Sequence, residues 1–265
     1  MSNASAKSAL LVLAGSACIA TASMADTVVY SQNFNGPLGS EWSGGTSTES
    51  VQGLSGLGHA GRTFSGNLLR NANSGNPAAF SELTLTGLAA HTTISVGFLL
   101  AVIDSWDGNT AGQFRPDYFN ITLDNAQGVP VSIFSYSFAN AVSGWNGNYT
   151  APAGGLIAGS STPGGAGAAN YGWGNRSFDN DSAFDMYLEN ALQNIAHTGS
   201  TATFRFFASG GGWQGGMDES WGIDNLQIST NAAIVPLPPA ALAGLSALAG
   251  VAGIGAVRRR SLKKN

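Results

Sequence analysis

Hydrophobic positions along this chain recur in short runs whose spacing predicts β-strands. In the run 118–124, Phe119, Ile121 and Leu123 alternate with polar side chains, which is the two-residue period of a half-buried strand. Glycine, at 37 of 265 residues, separates such runs, as in domains built of many strands joined by turns. The predicted strands are 27–34, 80–86, 92–103, 118–124, 129–138, 201–208 and 221–229, and 80–86 is expected to pair with 92–103 as an antiparallel neighbour.

One segment carries a different period and predicts a helix. Ser182 and Asp185 have the spacing of a capping box, and His197 and Gly199 mark the end of the segment. Between these ends, apolar residues recur at helical spacing: Phe184, Leu188, Ala191, Leu192 and Ile195. The predicted fold class is therefore an all-β, jelly-roll-type antiparallel β-sandwich with one short helix, occupying residues 26–232.

The two ends of the chain predict targeting segments. Lys7 precedes an uncharged, apolar stretch that ends at Ala25, so residues 1–25 are predicted to be a cleaved signal peptide. Cys18 is the single cysteine and lies in that segment, so the mature protein is expected to lack thiol chemistry and disulfides. The apolar run 240–257 is long enough, at about 1.5 Å per residue, for a transmembrane helix, and the basic tail 258–264 would face the cytoplasm.

The C-terminal segment 233–265 combines a proline motif, an apolar run and an arginine cluster. Its motif residues are Val235, Pro236, Leu237, Pro238, Pro239, Arg258, Arg259 and Arg260. This order resembles the PEP-CTERM sorting signal of exported bacterial proteins, also catalogued as an ice-binding protein C-terminal domain, in its VPLPA-type variant with leucine in place of the usual glutamate. The resemblance implies an exosortase-type processing enzyme as partner and a cell-surface or extracellular location, membrane-anchored before or without processing. A plain membrane anchor is the alternative.

The predicted exported body is strongly acidic. It contains five arginines and no lysine against all 15 acidic residues, a net charge of −10. Nucleic-acid binding is excluded because it requires Lys and Arg side chains to replace the counterions around the phosphates. The charge suits a soluble extracellular protein that takes up cations.

Two acidic segments, each containing a tryptophan, predict calcium chemistry. They offer oxygen ligands only, which Ca²⁺ prefers, and the alternative role of such side chains is to cap turns. The candidates are Asp104, Asp107, Asn109 and Asp117 in the first segment and Asp218, Glu219 and Asp224 in the second. The run 221–226 also resembles the closing strand of secreted concanavalin-like and carbohydrate-binding jelly rolls. That resemblance implies Asp224 as a structural calcium ligand placed against the first strand, with Asn33 or Asn35 as its partner.

An aromatic group provides a second candidate surface. Trp145, Tyr149 and Trp173 flank the glycine-rich stretch 151–169, and exposed rings carried on loops can stack on sugars. The alternative is that these rings fix the loop to the sandwich. His91 and His197 open two segments that each lead into an acidic, tryptophan-bearing end, so the two halves echo one another.

Catalytic signals are weak. The chain has neither a Gly-x-Ser-x-Gly nucleophile motif nor a His-Glu-x-x-His zinc motif. Asp218 and Glu219 are adjacent, so on an extended chain they point to opposite faces and cannot form a glycosidase pair. The predicted function is an exported surface or extracellular-matrix protein with a structural or adhesive role and no enzymatic activity. A carbohydrate-binding module and a glycoside hydrolase-like enzyme are the alternatives.

Overall fold

The computed structural model describes residues 26–45, 47–109, 116–124, 128–140, 147–159, 169–174 and 180–231, which form two antiparallel sheets and a small hairpin. The strands are β1 Thr27–Gln32, β2 Trp42–Gly44, β3 Ser47–Ser50, β4 Gly58–His59, β5 Arg62–Thr63, β6 Asn67–Asn71, β7 Ser81–Thr86, β8 Thr93–Asp104, β9 Asp117–Asp124, β10 Pro130–Ser137, β11 Leu156–Ala158, β12 Ser182–Asp185, β13 Ile195–Ala196, β14 Thr201–Gly210 and β15 Glu219–Thr230. Single 3-10 turns lie at Gln52–Leu54, Met186–Leu188 and Asn190–Leu192. The predicted all-β antiparallel sandwich is confirmed.

The first sheet is built around its two longest strands. Its order is β11-β12-β8-β15-β6-β3, with β13 also paired to β8 and β1 also paired to β15. Strand β15 runs beside β8 from the pair Glu219 and Asp104 to the pair Thr230 and Ile94. On its other edge β15 pairs with β1, and Thr27 lies opposite Thr230. The first strand therefore begins beside the end of the last one.

The second sheet has the order β10-β9-β14-β7-β2. Its central strand β14 shows the two-residue period clearly. Phe204, Phe206 and Ala208 are fully buried, whereas Arg205 and Phe207 between them are only partly buried. One side of this strand therefore faces the core and the other faces outward.

The core between the sheets is rich in aromatic rings. Phe206 lies near its centre, with ring centroids 5.8 Å from Phe98 of the first sheet and 6.3 Å from Trp42. Phe98 also packs edge-on against Phe119 of β9. These contacts join residues of both sheets in one hydrophobic cluster.

A second hydrophobic cluster covers the outer face of the first sheet. Leu99, Ala101 and Ile103 of β8 point into it and meet Leu54 and Phe64 from the segment between β3 and β6. Every residue of β8 after Thr93 is buried as a result. This explains why the strand reads as a continuous apolar run, since a strand buried on both faces has no polar side. In the part of the chain that the structure describes, the outer face of the first sheet is covered along β8 and is open to solvent around β1, where Val28 is 50% exposed.

The predicted helix at 182–195 is wrong. Ser182–Asp185 is a strand that pairs with β8, and it is followed by the two 3-10 turns Met186–Leu188 and Asn190–Leu192. Asp185 caps the first turn by accepting a hydrogen bond from the Tyr187 amide, and the extended backbone of Glu189 separates the two turns. A 3-10 turn also brings every third residue to one side, so the apolar spacing imitated that of a helix.

The predicted pairing of 80–86 with 92–103 is also wrong. The corresponding strands β7 and β8 belong to different sheets. The link between them does not turn back as a hairpin, because the Leu88 amide donates to the Ser200 carbonyl oxygen just before β14. Strand β7 therefore pairs with β14 and β2.

The other predicted strands are found with small changes of boundary, as β1, β9, β10, β14 and β15. Within the residues described, no helix is long or apolar enough to span a bilayer. The predicted signal peptide 1–25, the predicted membrane segment 240–257 and the sorting-motif residues 235–239 and 258–260 all lie outside those residues.

Candidate functional site

The open face of the second sheet carries a groove of about 410 Å³. Its lining is largely apolar and comes from β14, β9, the start of β10 and the segment before β7. The residues are Pro77, Ala78, Phe80, Thr122, Pro130, Arg205 and Phe207. Phe80 is 42% exposed, which is unusual for a phenylalanine beside a well-packed core. We call this feature the sheet groove.

Arg205 organises the charges of the sheet groove. Its Nε donates to Glu82 Oε2 at 2.7 Å across to β7, and its Nη1 donates to Asp124 Oδ1 at 2.9 Å across to β9. The guanidinium carbon also lies 5.3 Å from the centre of the Phe80 ring. Because it contacts Glu82, Asp124 and the Phe80 ring, the guanidinium is fixed before any ligand arrives. Arg205 and its two carboxylate partners together carry one positive and two negative charges.

A polar ladder continues from the groove along β9. Asn120 lies opposite Phe207, and its side-chain nitrogen donates to Ser209 Oγ at 2.9 Å. Ser135 Oγ of β10 donates in turn to Asn120 Oδ1 at 2.8 Å. This network fixes the orientation of the Asn120 amide and keeps the outer face flat and polar beside the rings.

Thr122 differs from its neighbours on this face. It stands directly opposite Arg205 in the register between β9 and β14 and lines the sheet groove. Its Oγ1 is buried and has no hydrogen-bond partner among the described residues. A buried hydroxyl costs free energy unless it is paired, so this oxygen would gain a hydrogen bond if a small shift of the groove side chains admitted a ligand group or a water molecule.

The acidic segments converge at one end of the sandwich. Asp107 follows β8, Asp117 begins β9 and Glu219 begins β15, and one carboxylate oxygen from each lies within 4.8 Å of those of the other two. All three residues are buried. The Asp107 amide donates to Asp117 Oδ2 at 2.5 Å, and the Gln214 amide donates to Glu219 Oε2 at 2.6 Å. We call these three residues the carboxylate cluster.

Burial perturbs the acidity of the carboxylate cluster. It raises the pKa of Asp117 to about 9, with the neighbouring Glu219 charge as the second cause. Burial also raises the pKa of Glu219 to about 7, and burial with the nearby Asp218 charge raises that of Asp107 to about 6. Removing a carboxylate from water disfavours its charged form, and adjacent like charges disfavour it further.

Asp104 and Asp218, the other predicted calcium ligands in these segments, flank the carboxylate cluster. Asp104 lies opposite Glu219 in the strand register, and its Oδ2 is 4.0 Å from Arg70. Asp218 Oδ1 accepts from Ser105 Oγ at 3.2 Å. The convergence of the two segments follows from the pairing of β8 with β15, the strands to which they are attached.

Asp224 and Asn33, predicted as partners in a calcium site, serve backbone amides. Asp224 is fully buried and accepts from the Ser65 amide at 3.0 Å and the Asn225 amide at 2.6 Å. Burial raises its pKa to about 7. Asn33 Oδ1 accepts from the Asn35 amide at 3.2 Å. The structure thus gives both side chains the capping role named above as the alternative.

The predicted sugar-stacking rings are not brought together as an exposed group. Tyr149 is buried, and its hydroxyl donates to Glu189 Oε2 at 3.3 Å, so the predicted exposure of its ring is wrong. Trp173 is partly buried and packs on the second hydrophobic cluster. Trp145 lies outside the described residues. Tyr149 is drawn inward because Phe134 of β10, Phe138 directly after β10 and Phe184 of β12 surround its ring.

The two histidines of the internal echo meet in space. His91 Nε2 and His197 Nδ1 are 2.7 Å apart, and the rings stack with centroids separated by 5.0 Å. Burial, followed by the neighbouring His91, lowers the pKa of His197. The pair links the entry of β8 to the entry of β14, so it joins the two sheets. The two similar segments therefore approach each other at both of their ends, first at His91 and His197 and then at the paired residues Asp104 and Glu219.

Together these features define an antiparallel β-sandwich domain in which one sheet is covered along its central strand β8 and the other carries the sheet groove. No family model matches the chain, and no curated protein matches it. Among solved structures, the chain is similar to the CBM22-1 xylan-binding domain from Paenibacillus barcinonensis Xyn10C, with 10% identity and a TM-score of 0.35 over 80% of this chain and 99% of that one.

Two further structures show a similar likeness. The CBM22-1-CBM22-2 tandem domain from the same Paenibacillus protein is 12% identical, with a TM-score of 0.37 over 83% of this chain and 50% of that one. The C-terminal family 22 carbohydrate binding module of Clostridium thermocellum Xyn10B is 12% identical, with a TM-score of 0.32 over 78% of this chain and 96% of that one. These are distant likenesses.

Proposed function

We propose that the domain binds a neutral polysaccharide in the sheet groove. The observation that carries the proposal is the unpaired, buried hydroxyl of Thr122 in a groove that also holds the exposed ring of Phe80. Sugars present apolar C–H faces beside hydroxyl groups, and a ring next to a free hydroxyl matches both. The proposal rests on this geometry.

The charges in the groove favour a neutral chain over an anionic one. Arg205 is already paired with Glu82 and Asp124, so its positive charge is offset before a ligand binds. The outer carboxylate oxygens and the guanidinium can still exchange hydrogen bonds with sugar hydroxyls. A carboxylated or sulfated polymer would instead meet a surface of the same sign, since the body carries a net charge of −10.

Binding to a panel of purified polysaccharides tests the proposal. Xylan, mannan, β-glucan and cellulose serve as neutral probes, and alginate and hyaluronan serve as anionic ones. We expect saturable binding to at least one neutral polymer, measured by affinity electrophoresis and calorimetry, with no release of new reducing ends. A purely structural or adhesive protein would show no saturable binding to any member of the panel, and that result would contradict the proposal.

Substitutions then assign the site. Phe80→Ala is expected to weaken binding to the same polymer by at least about tenfold, or about 1.4 kcal/mol, because it removes the exposed ring. Thr122→Val removes the hydroxyl at constant shape and is also expected to weaken binding. Val28→Ala is the matched control, because Val28 is 50% exposed on β1 of the other sheet. Equal losses in all three variants would place the binding site elsewhere.

We propose further that the domain acts outside the cell, carried there by the signal peptide 1–25 and held by the sorting segment 233–265. The support is the order of motif, apolar run and arginine cluster in the sequence. Mass spectrometry of the protein from its native cells is expected to show a mature N-terminus near Asp26 and a C-terminus either processed or membrane-bound. An intact chain from Met1 to Asn265 in the cytosol would contradict export.

A further inference from the structure

The carboxylate cluster shares no residue with the sheet groove and joins the two sheets. Asp117 belongs to β9 of the second sheet, and Glu219 belongs to β15 of the first. Asp107 lies in the segment after β8, and its carbonyl oxygen accepts from the Asp117 amide at 2.8 Å. Anything held between these carboxylates therefore fastens one sheet to the other.

Two buried oxygens of this cluster have no hydrogen-bond partner among the residues that the structure describes. They are Asp117 Oδ1 and Glu219 Oε1, and both residues are fully buried. The second oxygen of each carboxylate is fixed by a backbone amide, so the unpaired oxygens are oriented by the fold. Leaving a buried carboxylate oxygen unpaired costs free energy. Two such oxygens on carboxylates that are neighbours in space indicate a missing ligand.

The charges identify the kind of ligand. The carboxylates of Asp107, Asp117 and Glu219 face one another, and none of the ion pairs found among the described residues gives any of these three a basic partner. Arg70, which approaches the neighbouring Asp104, pairs with Glu49. A cluster of oxygen donors with excess negative charge suits a hard divalent cation. Calcium, which tolerates irregular geometry, fits a site formed by three separate chain segments better than magnesium does.

We propose that Asp107, Asp117 and Glu219 bind one calcium ion that clamps the two sheets together. This inference is independent of polysaccharide binding, because the cluster shares no residue with the sheet groove. The ion would occupy the space toward which the three oxygens converge and would replace protons that otherwise neutralise the carboxylates.

Terbium luminescence and thermal unfolding of the full chain test the site. Trp106 and Trp221 lie one and two residues from cluster members in the sequence, and Trp106 contacts Trp213 with centroids 5.0 Å apart. Terbium bound at the cluster is therefore expected to emit when tryptophan is excited, and calcium should displace it. After removal of metal with chelator, excess calcium is expected to raise Tm by roughly 5–10 °C at about 100-fold excess over its Kd.

Matched variants separate a calcium site from a proton-sharing pair. Asp117→Asn and Glu219→Gln keep the shape and are expected to abolish both the terbium signal and the calcium-induced shift in Tm. Asp124→Asn removes a carboxylate from the outer face and should leave both responses intact. No terbium emission and no calcium-induced shift in the unsubstituted protein would overturn the inference, and so would unchanged responses in both cluster variants. Neither result would decide whether the domain binds xylan or another neutral polymer, because the carboxylate cluster and the sheet groove share no residue.

Discussion

Phe206→Ala is expected to lower the free energy of unfolding by about 3–5 kcal/mol, whereas Phe207→Ala, one position along the same strand, is expected to cost about 1 kcal/mol or less. The difference arises because β14 directs the two rings to opposite faces. Phe206 is fully buried against Phe98 and Trp42, so its loss leaves a cavity between the sheets. Phe207 lines the open groove, where water can fill the space.

The variants Phe206→Ala and Phe207→Ala also distinguish a loss of stability from a loss of polymer binding. We expect Phe207→Ala to remain folded and to bind the neutral polymer more weakly. Phe206→Ala is expected to lower Tm by roughly 6–20 °C, while its folded molecules keep the outer surface of the second sheet. Urea unfolding followed by tryptophan fluorescence measures the free energy of unfolding, and calorimetric titration measures the affinity for the polymer. Equal destabilisation of both variants would contradict the assigned faces of β14, and unchanged binding in Phe207→Ala would remove this ring from the site.

Stability in chelator is expected to fall as the pH rises from 6.5 to 9. The pKa of Asp117 is about 9 in the folded protein, against about 3.9 in an unfolded chain, so the folded state binds more protons throughout this range. The free energy of unfolding decreases with pH wherever the folded state holds the extra proton. Glu219 and Asp224, each with a pKa of about 7, act in the same direction. A loss of about 3–5 kcal/mol, or roughly 6–20 °C in Tm, is expected.

Most other perturbed groups titrate outside this pH window. His197, whose pKa is lowered, changes charge below it, and burial raises the pKa of Tyr30 and Tyr187 to about 12, above it. Asp107, with a pKa of about 6, is largely ionised at pH 6.5 and adds only a small term in the same direction as Asp117. Asp117→Asn carries no proton to lose and should flatten the slope of Tm against pH, while Asp124→Asn should preserve it. A stability that rises with pH in chelator, or an unchanged slope in Asp117→Asn, would contradict the assignment.

Local pattern predicted the strands well because burial on one face imposes a two-residue period. The alternation of Phe119, Ile121 and Leu123 gave β9 almost residue for residue. Strand β8 was predicted from its apolar run alone, but that run could not show that a second cluster covers its outer face. The helix at 182–195 failed because two capped 3-10 turns after a strand reproduce helical spacing over a short stretch.

Of the two candidate sites, the sequence predicts the residues of one and does not predict the other. The acidic segments were singled out from composition, and the structure brings them together because β8 and β15 are neighbours. The sequence does not predict the sheet groove, because Arg205, Thr122 and Phe80 are distant in the chain. They become neighbours only through the order of strands in the second sheet. The available signal was the outward position of Arg205 and Phe207 between buried residues of β14. Sequence alone cannot say which strands flank them.

The pairing of Thr27 with Thr230 has a mechanical consequence. A load applied between the two ends of the domain would peel β1 from β15 one hydrogen bond at a time, since both ends lie at the same corner. A load between a polymer held on the second sheet and the end of β15 would instead run along a strand bonded to neighbours on both sides. If the proposed polymer binding and C-terminal tether are both correct, drag on the polymer would therefore load a strand that is paired on both edges.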